Sequence, residues 1–157
     1  MTDLTDAIAA GIAEIPVLER VAPNALAYGV DLSCIRDVTP DLAEVDPTSP
    51  AAVGQGALRR LLTPRGGVVD DQAYGLDLRA YTSHGVTNDE LRGLAAQVRA
   101  EAMKDDRVSE ADATIAYAAG KLDVTLMLTL VDSSETFTLI FFVTPDGIEL
   151  IDSIDRT

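Results

Sequence analysis

The chain has 157 residues, 12 of them basic against 26 acidic, for a formal net charge of −14. Hydrophobic residues make up 47% of it, which excludes disorder as the default, and one domain of this length buries roughly 70% of its unfolded surface. The negative charge repels phosphate backbones and anionic bilayers, so neither nucleic acid nor membrane is expected as a partner.

Aromatics are 4% and Trp is absent, so the core has to come from Leu, Val, Ile and Ala. Residues 1–28 place Ile8, Ile12, Ile15 and Leu18 at helical spacing, with Thr5 as a cap and Pro16 as an interruption. The first residues are acidic, unlike a secretory signal, and no apolar run approaches the roughly 18 residues that span a bilayer. Synthesis and folding in the cytoplasm are expected. Between Tyr28 and Pro50, Gly29, Pro40 and Pro47 punctuate acidic linking chain with one short strand near 30–35. Its carboxylates (Asp31, Asp37, Asp41, Glu44, Asp46) lack the order around a turn glycine that a calcium loop needs. Cys34 is alone, forms no intrachain disulfide, and reads as a small core residue.

Ser49-Pro50 is a helix start, a capping hydroxyl followed by proline at the first position. It predicts a helix over 51–62 with Val53, Ala57, Leu58, Leu61 and Leu62 on one face and Arg59 and Arg60 beside it. That helix ends near Thr63, because a residue before proline avoids α geometry, and Gly66-Gly67 permits a sharp turn. Thr87 and Glu90 fit a capping box, and Leu91, Leu94, Ala95, Val98 and Ala102 predict a second helix over 88–104. After Arg107 the hydrophobic period changes to two, which predicts strands over 111–118, 122–130, 136–144 and 148–151. The fold class is α+β, N-terminal helices packed on an antiparallel β-meander of about three or four strands. Residues 1–48 form an N-terminal arm and acidic loop-rich linker, and 49–157 the domain.

Catalysis has little material here. His84 is the only histidine and lies in a turn-like loop after Ser83; with one His and one Cys, a soft metal site or a Cys-His dyad has almost no material. No pair among the acidic residues stands in an apolar, aromatic-lined setting that a glycosidase acid requires. No enzyme activity, no cofactor and no metal are expected. Arg59, Arg60 and Arg65 cluster at one helix end. Their guanidinium forks either hold carboxylates at an interface or complement the helix dipole in solvent, and the sequence leaves both open.

The run Leu61-Leu62-Thr63-Pro64, one residue, Gly66, then Tyr74-Gly75 after seven intervening residues resembles a family signature. The family is the baseplate-wedge protein W family of contractile phage tails and related contractile injection systems. There a helix ends in an Ile/Leu-Leu-Thr-Pro-x-Gly turn and continues to an aromatic-glycine pair. A later helix in that family closes in Glu-Pro-Arg-Ile/Val before the sheet. The matching place is Asp105-Asp106-Arg107-Val108, where aspartate replaces glutamate and the proline is lost, so Arg107 carries over. The resemblance covers about residues 50–145.

It implies a structural wedge subunit in a virion tail baseplate or an equivalent particle, assembled in the bacterial cytoplasm, at about six copies around the particle axis. Its implied partners are the other baseplate wedge proteins, the sheath protein whose assembly it seeds, and tail-tube or hub proteins. Together with the arginine cluster, it marks Arg107, Asp105, Arg59, Arg60, Thr63, Pro64, Arg65, Gly66, Tyr74 and Gly75 as partner-interface residues. The competing readings are an acidic soluble adaptor or inhibitor that works by charge, and a lysozyme-like glycoside hydrolase. No residue supports the latter.

Overall fold

The computed structural model describes Tyr28, residues 31–32, 44–83 and 85–156. The helical reading of residues 1–27, Cys34 and His84 lie outside the described residues. β1 (Asp31–Leu32) pairs antiparallel with β2 (Glu44–Val45) in a small ribbon. The first falls inside the expected strand near 30–35. The second interrupts what reads as acidic loop, because two residues are too few to show a period.

α1 (Pro50–Leu62) begins where Ser49 Oγ accepts the Ala52 amide and stops at Thr63, extended before Pro64. Its buried face includes Ala52, Val53, Ala57 and Leu61, and at Gly54 the backbone lies close to Leu139 and Phe137 of the sheet. A 3₁₀ turn (Leu78–Tyr81) leads toward α2 (Asn88–Ala102), which opens with the Thr87–Glu90 capping box. α2 buries Leu94, Val98, Glu101 and Ala102. It ends two residues before the expected 104, since residues 103–107 fold into successive turns: the Asp105 amide reaches Ala102 O, and the Val108 amide reaches Asp105 O.

Four antiparallel strands follow in sequence order: β3 (Val108–Ala118), β4 (Lys121–Leu130), β5 (Thr136–Thr144) and β6 (Gly147–Arg156). β3 and β4 are joined by two residues in left-handed geometry, Ala119 (φ 52°) and Gly120 (φ 78°), the tight turn that matches strand twist. β6 runs past the expected 151 because it pairs with β5 to Arg156, across a register shift between Ile140 and Phe141 that simple alternation does not reveal.

Both helices cover one sheet face. There Leu122 pairs with Val143, Val124 with Phe141, Leu126 with Leu139 and Leu128 with Phe137, all buried. The opposite face carries Thr125, Met127, Ile140 and Phe142, partly or largely exposed, with Lys121 over the Phe142 ring at 5.7 Å. Among the described residues no helix is long and apolar enough to cross a membrane.

Adjacent phenylalanines test this orientation. Phe141→Ala removes a fully buried ring and is expected to cost about 4 kcal/mol in chemical denaturation, against about 1 kcal/mol for Phe142→Ala. Equal losses would contradict the register.

Candidate docking site at the helix ends

The C-terminal ends of α1 and α2 meet, and the segment between the helices folds over the junction. α1 leaves carbonyls without helical partners, and those of Arg59, Arg60 and Leu62 find one nearby. Arg60 O accepts the amides of Thr63 and Leu76, the latter at 2.9 Å. Thr63 Oγ1 donates to Arg59 O at 2.7 Å, and Arg79 Nη2 donates to Leu62 O at 3.0 Å. Arg79 is itself held fork-to-fork by Asp77, whose carboxyl that hydrogen-bonded guanidinium keeps below its usual range. Nothing in the sequence spacing marks this further arginine at the helix end, which lies outside the motif.

The returning chain passes so close that only glycine fits. Gly75 has φ +100°, and a Cβ there would run into the Thr63 carbonyl oxygen. Beside it, Tyr74 lies under the Arg60 guanidinium, 4.3 Å from carbon to ring centre. Pro64 and Gly66 (φ +81°) shape the turn, closed by the Gly67 amide on Pro64 O at 2.9 Å.

Glu101 holds the junction. Its side chain is 1% exposed and lies 2.7 Å from Lys104 Nζ, 3.4 Å from Arg65 Nη2 and 3.5 Å from Arg60 Nη1. Its Oε1 accepts the Gly75 amide at 2.9 Å. The Arg60 separation suits charge attraction but is too long for a good hydrogen bond, and that buried nitrogen makes none. Burial pushes the Glu101 carboxyl up; Lys104, the Gly75 amide and Arg60 more than offset it, so it stays below the ordinary glutamate range. The loop is tied at two more points, Lys104 Nζ to Ala73 O at 2.6 Å and Arg65 Nε to Gly75 O at 3.3 Å. The sequence did carry a signal for Glu101: it stands seven residues after Leu94 and three after Val98, an acid on the apolar stripe of α2.

A second clamp lies alongside. Arg107 grips Asp105 through Nε (2.9 Å) and Nη2 (2.7 Å), donates from Nη1 to Pro47 O at 2.6 Å, and stacks 4.8 Å from the Tyr28 ring. Burial raises the Asp105 carboxyl, and bonding to Arg107 carries it net below the usual range. Gly56 of α1 leaves room for this pair, since a Cβ there would lie 3.3 Å from Arg107 Nη2. Arg107 therefore sits in the turn after α2, its side chain 16% exposed, and joins the residues before α1 to the sheet.

The expected interface residues thus come together, and most of their polar groups are engaged within the chain. Arg60, Asp105 and Arg107 are largely covered; Arg59, Pro64, Arg65 and Gly66 are exposed. Beyond them the loop presents Val69, 87% exposed. Among the described residues no group of three or more His, Cys, Asp or Glu side chains is arranged to hold a metal ion. Compared with known proteins, the sequence matches no family profile and no curated protein.

Both carboxyls titrate lower in the folded than in the unfolded chain. Their stabilisation is therefore complete above the unfolded values, about 4, and is lost as pH falls through the folded ones. Melting temperature is expected to be flat between about pH 8 and 5 and to fall below about pH 4. Glu101→Gln leaves a buried cation uncompensated, costs about 3 kcal/mol at pH 7 and weakens the acid dependence. An unchanged acid limb in that variant would remove Glu101 from this role. Gly75→Ala is expected to cost about 3 kcal/mol or more by denaturation, through backbone strain.

Proposed function

We propose that this chain is a structural wedge subunit of a contractile tail or contractile injection machine. It works by docking, to larger wedge proteins and to the sheath whose assembly it seeds. The observation that carries the reading is convergence. Motif residues 61–75 are fastened to the end of α2 through Glu101, and the Asp105–Arg107 pair in the turn that follows packs beside Gly56 of α1, so both motif segments border the place where the helices end. That is how a signature behaves when it encodes a shaped surface.

The exposed rim of the junction is the docking element. Arg65 is 61% exposed, and Val69 stands out on the loop that Lys104, Arg65 and the Gly75 amide fasten down. An apolar anchor on a preorganised loop loses little entropy when bound, and a neighbouring arginine adds orientation.

The experiment is fractionation of the native source with the chain tagged. The wedge reading expects co-sedimentation with tail-like particles visible by negative-stain electron microscopy, through contacts that survive about 1 M salt because apolar surface carries them. Recovery only as a free small protein, or with partners released by salt, would reject it in favour of an acidic adaptor. Val69→Asp should abolish incorporation while leaving the melting temperature within a few degrees. Arg107→Ala should also block incorporation, with a stability loss of about 2 kcal/mol from the orphaned Asp105. Normal assembly of both variants would rule this surface out.

A further inference from the structure

No strand pairs with the outer edge of β3 among the described residues. Sheets guard such edges with charge, proline or a bulge. β3 has a register shift and two acids, Glu110 and Asp112, near its start, but residues 113–118 (Ala-Thr-Ile-Ala-Tyr-Ala) carry neither charge nor proline. α2 runs beside this edge, and two adjoining hollows of about 330 and 370 Å³ lie between them. Leu91, Ala95 and Ile115 line one; Ala96, Ala100 and Met103 line the other. Thr114 and Asp112 belong to the opposite sheet face yet also border the hollows, which therefore open onto the free backbone of the strand.

We propose that this edge pairs with the same edge of a second copy of the chain, β3 antiparallel to β3, merging two sheets into one. The distribution of charge selects that occupant. A two-fold axis at Thr114 sets Glu110 of one copy opposite Ala118 of the other, whose neighbour on β4 is Lys121. Alanine is short enough for the lysine to reach across it to the carboxylate. The same axis sets α2 antiparallel to its counterpart, so that Asp89 near one end meets Arg99 near the other.

Among the described residues Asp89 has only an exposed ion pair with Arg92 at 3.3 Å, so little is given up on rearrangement. Where the helices cross, Gly93, Ala96 and Ala100 are small and exposed. They allow the axes to approach to about 8 Å while the strands lie about 4.8 Å apart. Each of these contacts is made twice, as an isologous interface requires.

Sedimentation and light scattering of the full chain from about 1 to 200 µM test it, since mass action must drive a dimer. A monomer-to-dimer transition is expected. Asp89→Arg and Arg99→Asp should each weaken it at least about tenfold, with the double variant returning to near the original affinity. The strand pair Glu110→Lys and Lys121→Glu gives the same test without touching the helix. A chain that stays monomeric throughout overturns the proposal and leaves the edge to a strand from a different protein. A dimer indifferent to all four reversals overturns it as well.

Discussion

One buried carboxylate sets the arrangement of everything outside the sheet. Glu101 is enclosed by the core layer and faces Arg60 of α1, Arg65 in the turn after α1 and Lys104 in the turn after α2. A lone buried carboxylate would cost several kcal/mol; one surrounded by cations and an amide is tolerable only in a single geometry. That constraint converts a glycine-rich loop into a fixed surface. Six of the chain's 12 basic residues (Arg59, Arg60, Arg65, Arg79, Lys104 and Arg107) lie in or beside this junction, where Glu101, Asp77 and Asp105 answer them.

The two arginine clamps divide the work. Arg79 and its aspartate finish the hydrogen bonding of α1, while Arg107 ties the segment at Tyr28 and Pro47 to the turn that starts the sheet. Neither is a loose surface pair. Each guanidinium is oriented by a carboxylate two residues away and then spends its remaining donors on main-chain carbonyls. Such short-range orientation costs little entropy, and the resulting geometry is stiff.

The layer order, both main helices and the meander were legible because each rests on a local rule. Ser49-Pro50 and Thr87–Glu90 start helices, and alternation after Arg107 marks strands. The motif residues were also legible as a group, but their use was not. Sequence spacing does not show that Arg60 would be consumed by Glu101, because that contact depends on how two helix ends are packed; Asp105, two residues from Arg107, is within its reach by sequence alone. Glu101 was hidden by its setting, an acid inside a helix that otherwise reads as ordinary. The β2 half of the small ribbon and the bulge in β6 escaped for a different reason: both are set by the register of a partner strand, and neither has a pattern of its own.

The two-residue turn at Ala119-Gly120 has a kinetic consequence. It joins strands that pair along their whole length, and β5 and β6 then add in sequence order, so the sheet is assembled entirely from neighbouring segments. Chains with local pairing close small loops and fold quickly. The junction built on Glu101 is different, since it joins Gly75 and Arg65 to a residue 26 and 36 positions away. By that span it closes larger loops than the hairpins do, and interactions that form late in folding raise the barrier to unfolding. Speed of formation therefore belongs to the sheet, while the lifetime of the shaped surface belongs to one glutamate.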